Sequence, residues 1–92
     1  MAAERTCTLI NKYGLHMRPA EKLVSLASTF RSEVKVIRDS DEVNGKSIIS
    51  VISLGAGPGT ALTIRCEGPD EKEALEAISA LIEDGFGLDE EK

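Results

Sequence analysis

The sequence predicts an α+β fold in which one layer of strands faces one layer of helices. Three observations carry that reading. Four short segments alternate apolar and polar residues like half-buried strands, and three place apolar residues at helical spacing. They follow one another in the order β-α-β-β-α-β-α, with no internal repeat and no linker. At 92 residues, 41% hydrophobic and 29% charged, the chain has the balance of a globular protein with one small core. We expect a single domain over 1–92, with its core at about 5–86 and an acidic tail at 87–92 that frays over Asp89–Lys92.

Arg5–Ile10 places Cys7 and Leu9 on one side and Thr6 and Thr8 on the other, which predicts the first strand. Asn11-Lys12-Tyr13-Gly14 reads as a turn. Pro19 suits the first turn of a helix, where a missing N–H costs nothing. Leu23, Val24, Ala27 and Phe30 then follow at helical spacing to about Thr29. Glu33–Arg38, with Val34 and Val36 inward, and the short Glu42–Asn44 form a hairpin across Asp39–Asp41. Ser47 and Gly55 frame Ile48–Leu54 as N-cap and C-terminal glycine of a two-turn helix. The Ile and Val content of that segment also suits a buried strand; the caps favour helix. Ala61–Glu67 is the fourth strand, with Leu62, Ile64 and Cys66 inward. Ala74, Leu75, Ile78, Leu81 and Ile82 mark a third helix ending near Gly85.

Composition excludes several functions. Aromatic residues make up 3% of the chain and the formal charge is −5, so nucleic-acid binding by stacking or by phosphate neutralisation is not expected. One histidine and two distant cysteines supply no zinc set of ordinary spacing, and no metal is expected. Cys7 and Cys66 read as small buried hydrophobes, on strands that could be neighbours. No apolar run approaches membrane-spanning length, and Met1-Ala2-Ala3-Glu4-Arg5 is no apolar signal segment, so a cytoplasmic location with reduced thiols and no membrane insertion is expected. Charge is uneven: residues 1–66 hold 9 basic and 6 acidic side chains, residues 67–92 hold 2 and 10. An anionic ligand is expected at the front of the molecule.

His16 is the only imidazole, and it stands just before the first helix with Arg18 two residues on. Helix N-termini favour anions, because unpaired N–H groups and the macrodipole point outward. A neutral imidazole is a nucleophile, and a guanidinium matches a phosphoryl group with forked donors. The combination suits attack on phosphorus, giving a phosphohistidine whose labile P–N bond lets the group move on. A surface histidine that merely precedes a helix has the same spacing.

Gly14-Leu15-His16-Met17-Arg18-Pro19-Ala20 resembles the G-[IL]-H-x-R-P-A motif of the HPr family, the histidine-containing phosphocarriers of the bacterial phosphotransferase system. Asn44-Gly45-Lys46-Ser47-Ile48 resembles that family's regulatory-serine segment, and Ser53-Leu54-Gly55 its S-L-G ending. The third helix also fits, so the resemblance covers about residues 5–86. It implies an open-faced two-layer β-sandwich, four antiparallel strands covered by three helices. It implies that His16 accepts phosphate on Nδ1 from phosphorylated enzyme I, itself charged by phosphoenolpyruvate, and passes it to a histidine of an enzyme IIA domain. Arg18 would stabilise the phosphoryl group. No cofactor is implied, and the protein would be a relay rather than an enzyme.

If Val51 and Leu54 face the core, Ile48, Ile49 and Ile52 are left exposed beside His16. With Met17 they would form the docking surface that the resemblance implies. Ser47 matches the serine that a dedicated HPr kinase/phosphorylase modifies in some members; a phosphate there would place charge in the docking patch. An N-cap role explains Ser47 equally well. Met17 replaces the family's usual small residue, Ser25 and Ser28 stand where some carbohydrate-branch carriers have lysines, and residues 73–86 resemble the nitrogen-branch paralogue, so the branch stays open. A monomer is the default for a diffusing relay. Two other readings compete. A ligand-sensing module of similar topology would not need His16. A phosphate cradle at Gly55–Gly59 lacks the Lys-Ser/Thr continuation and leads into a strand.

Overall fold

In the computed structural model, which describes residues 2–88, seven elements and a short terminal turn follow the expected order. They are β1 (Ala3–Thr8), α1 (Met17–Ser28), β2 (Glu33–Arg38), β3 (Asp41–Asn44), α2 (Ile48–Ser53), β4 (Ala61–Glu67) and α3 (Glu71–Glu83), then a 3-10 turn at Gly85–Gly87. The sheet runs β1-β4-β2-β3, and every neighbouring pair is antiparallel. The expected open-faced sandwich is present, with the helices on one side of the sheet.

The alternation along the strands explains the layers. Cys7, Val34, Val36, Leu62, Ile64 and Cys66 point to the helices and are buried. Ala20, Leu23 and Ala27 of α1 and Ala74, Ile78 and Ile82 of α3 meet them from above. Among the described residues, the other sheet face carries no helix and is tied by polar contacts. Thr6 and Thr63 share a hydroxyl hydrogen bond at 2.9 Å. Arg65 donates from Nε to Glu4 at 2.8 Å and from Nη1 to Glu42 at 2.7 Å, linking β1 to β3 across the sheet.

Ile48–Ser53 is helical, which settles the choice between helix and strand. The Ser47 hydroxyl caps it, accepting from the Ser50 N–H at 3.3 Å. Gly55 takes the left-handed conformation just past its end. β1 begins two residues earlier than expected, because its pairing with β4 runs from Ala3–Cys66 to Thr8–Ala61. Leu9 remains tied beyond the strand through its N–H to the Thr60 carbonyl, 2.9 Å. The expected tail starts too early: Gly87 belongs to the 3-10 turn and Leu88 is buried in the core, while the expected fraying at 89–92 lies outside the described residues.

The two cysteines are free and sit on neighbouring strands, but they do not face each other. Cys7 pairs in register with Leu62, whereas Cys66 lies between Ala3 and Val34. Four residues of strand separate them, about 13 Å at the usual rise, well beyond disulfide reach. Burial raises both thiol pKa values, that of Cys66 to about 11.

Asp70 precedes α3 and fastens a distant turn. Its carboxylate accepts from the Arg31 N–H and the Ser32 N–H, each at 2.9 Å, and from the Ser32 hydroxyl at 2.5 Å. The hydroxyl oxygen in turn accepts from the Asp70 N–H at 3.2 Å. These bonds hold the Asp70 carboxyl down at about 2. The α1–β2 turn is thereby pinned to the start of α3.

Candidate functional site

His16 is the N-cap residue of α1, with an extended backbone (φ −85°, ψ −170°) that turns the chain into the helix. Its carbonyl accepts the first helical hydrogen bond, from the Ala20 N–H at 2.9 Å. Its imidazole does not cap the helix, and the side chain is half-buried. Met17 and Arg18 are the first two helical residues and both are exposed. Pro19 follows as the third, where the absent N–H leaves no helical bond unmade. One turn of backbone therefore carries the predicted acceptor and its predicted arginine.

The loop that presents His16 is built for close approach. Gly14 has φ +69°, and a Cβ there would fall 2.5 Å from the Ala56 carbonyl oxygen and 2.6 Å from Gly57. Leu15 is buried, and its N–H donates to that Ala56 carbonyl at 2.8 Å. Asn11, also buried, donates from Nδ2 to the Gly14 carbonyl at 2.6 Å. The segment after α2 is thus the platform for the histidine loop. Arg38 secures that platform, donating from Nη1 to the carbonyls of Leu54 at 2.7 Å and Gly55 at 3.1 Å.

α2 packs against α1, with Val51 and Leu54 in the core. Ile49 is 83% exposed and Ile48 37%, alongside Met17 at 55%. Ile52 departs from expectation: it is half-buried and packs against the core. So short a helix lying on α1 brings its flanks as well as its underside near the core, and Ile52, about 100° round from Val51, is partly covered. Ser47 is half-buried at the start of α2. Among the described residues, no group of three His, Cys, Asp or Glu side chains could hold a metal ion. No described helix is long and apolar enough to cross a membrane.

Two neighbours of the site were not singled out by sequence reasoning. Tyr13, read only as part of a turn, places its ring edge-on to the His16 imidazole, with centroids 5.6 Å apart. Ile10, 54% exposed, adds a large apolar side chain to the same loop. For Tyr13 the available signal was an aromatic residue inside a polar turn, three positions before the histidine; Ile10 was read as the last residue of the first strand.

The profile of a family described as "PTS HPr component phosphorylation site" matches residues 3–84, which include the whole loop and α1. The chain belongs to the PTS-HPr family. The phosphocarrier protein HPr of Cupriavidus necator is 48% identical over 84 residues, 91% of this chain and 94% of that protein. Phosphocarrier protein HPr of Treponema pallidum is 43% identical over 82 residues, covering 89% and 93%. The crystal structure of HPr from Thermoanaerobacter tengcongensis superposes with a TM-score of 0.91 at 44% identity, over 95% of this chain and 98% of that one. The chain is a phosphocarrier of the phosphotransferase system and not a freestanding enzyme. In this fold His16 stands at the start of α1.

Proposed function

We propose that His16 carries the phosphoryl group, taking it from phosphorylated enzyme I and giving it to a histidine of an enzyme IIA domain. The observation that supports this most is the position of His16: N-cap of α1, half-buried, its ring not spent on capping. In the forward step a ring nitrogen, Nδ1 in this reading, bonds to phosphorus as the donor's P–N bond breaks. The accepting ring releases one proton and the departing ring takes one up, so each imidazole ends neutral. The first turn of α1 favours the incoming negative charge. The Arg18 guanidinium offers it paired donors. No cofactor enters the step.

Met17, Ile48 and Ile49 form the docking surface in this reading, with Ile52 supporting them from beneath. Phosphorylation of Ser47 by a dedicated HPr kinase/phosphorylase would set a dianion among these apolar groups and weaken docking. The protein works as a monomer in the cytoplasm, as one folded unit over about 5–86.

The test is transfer. With phosphoenolpyruvate and enzyme I, the chain gains one acid-labile, alkali-stable phosphoryl group and loses it to an enzyme IIA domain; His16→Ala gains none. A phosphoryl group on the His16→Ala variant, or none on the wild type with donors of both branches, overturns the proposal.

A further inference from the structure

We propose that Tyr13 is a positioning residue for phosphoryl transfer, its ring holding the His16 imidazole in one orientation. The inference rests on the reading of His16 as the acceptor.

A phosphoryl acceptor must aim one ring nitrogen along the line of attack, and small misalignments cost rate. No capping bond aims it, since the imidazole does not cap α1. Tyr13 is on hand to do so. The two rings meet at 89°, with centroids 5.6 Å apart, inside the range of edge-to-face pairs. Such a pair is directional: turning the imidazole about its bond to the backbone breaks it.

The Tyr13 ring is itself held. Its neighbour Lys12 sets its ammonium 5.3 Å from the ring centroid, within reach of the negative face. The turn that carries Tyr13 is closed by the Gly14 N–H to the Asn11 carbonyl, 3.3 Å, and by the Asn11 side chain to the Gly14 carbonyl. Beyond it, Leu15 is anchored in the core. Tyr13 is 59% exposed, so core packing does not account for an aromatic residue here. Only the ring is needed; the pair does not use the hydroxyl.

The experiment compares the wild type with Tyr13→Phe, Tyr13→Leu and Tyr13→Ala, using phosphorylated enzyme I as donor. Two quantities are read: the saturating transfer rate against the donor concentration at half-saturation, and the NMR shifts of the His16 ring protons. An aromatic ring this close displaces those protons, and a contact with a merely structural role would leave the saturating rate alone. Tyr13→Leu and Tyr13→Ala are expected to lower the saturating rate about two- to twelvefold, the range set by one edge-to-face pair. They leave half-saturation nearly unchanged and move the His16 ring shifts toward those of a free histidine. Tyr13→Phe restores both. Unchanged ring shifts in Tyr13→Ala overturn the proposal, as does a higher half-saturation with an unaltered saturating rate, which marks Tyr13 as a docking contact. A His16→Ala variant that accepts phosphate overturns the acceptor reading and this proposal with it, and is told apart from the other failures because the His16 ring shifts of the wild type and the Tyr13 variants still report the contact.

Discussion

Replacing Gly14 by alanine tests whether the platform behind His16 is as tight as the geometry states. Gly14 has φ +69°, where an L side chain costs about 1–2 kcal/mol. The new methyl would also lie 2.5 Å from the Ala56 oxygen, so the loop must retreat by about 0.8–1 Å to reach ordinary C···O contact. That movement stretches the Leu15 N–H bond to the same carbonyl, now 2.8 Å, which is worth about 0.5–1.5 kcal/mol. Together the loss is about 1.5–3.5 kcal/mol. A chain of 92 residues carries about 5–14 kcal/mol in all, so Tm should fall by about 6–28 °C. Two neighbours in the same platform act as controls. Gly59 has φ +82° with open space around a Cβ, so Gly59→Ala costs only the backbone strain, about 1–2 kcal/mol. Gly57 lacks a positive φ and has nothing within 4 Å, so Gly57→Ala is neutral or stabilising by up to about 1 kcal/mol. Thermal and urea unfolding followed by circular dichroism gives the order Gly57→Ala, Gly59→Ala, Gly14→Ala, from mildest to worst. A Gly14→Ala melt within a few degrees of wild type, or a Gly57→Ala as damaging as Gly14→Ala, would refute this reasoning.

Other substitutions probe separate parts of the molecule. Ser47→Ala removes the α2 cap, whose bond is long at 3.3 Å, and should cost about 0.5–1 kcal/mol; a loss above about 2 kcal/mol in urea unfolding would mean that Ser47 does more than cap. The Asp70 carboxyl lies at about 2 in the fold against an ordinary 3.8, so its stabilising effect is complete above about pH 4 and drains away as pH falls through 2. Asp70→Asn should therefore lower the urea midpoint at neutral pH, with the gap to wild type closing between pH 4 and 2; parallel profiles would contradict the assignment. Cys7 and Cys66 are buried with raised pKa values, so a thiol reagent at pH 8 should label neither in the native protein and both in urea.

Much of the fold was legible because the apolar spacing and the chain punctuation agreed. Val34 and Val36 alternate cleanly, and β2 and β4 fall on the expected residues. Ser47 and Gly55 outweighed the strand-like composition between them, because caps answer to the backbone groups a helix leaves open. What escaped depends on partners remote in sequence. The start of β1 is set by pairing with β4, and a partner strand cannot be read from the segment itself. The half-burial of Ile52 follows from how α2 lies on α1. The anchor from Asp70 to Ser32 spans 38 positions. Phe86, fully buried at φ +62° between two glycines, closes the chain in a conformation that local propensity disfavours. In the site, His16 and Arg18 were readable from one short motif, because a helix start brings neighbours in sequence together. The Arg38 clamp was not, since only the folded chain brings Arg38 to the loop after α2, and the Tyr13–His16 ring pair depends on side-chain directions that a turn motif does not state.

The most direct test of the central claim is to phosphorylate the isotope-labelled protein with enzyme I and phosphoenolpyruvate and locate the phosphorus by NMR coupling to the imidazole nitrogens. The expected result is a single phosphorus–nitrogen coupling to Nδ1 of His16, vanishing when an enzyme IIA domain is added. A phosphoryl group bound to any other residue, or a His16 spectrum unchanged while the protein gains phosphate, would contradict it.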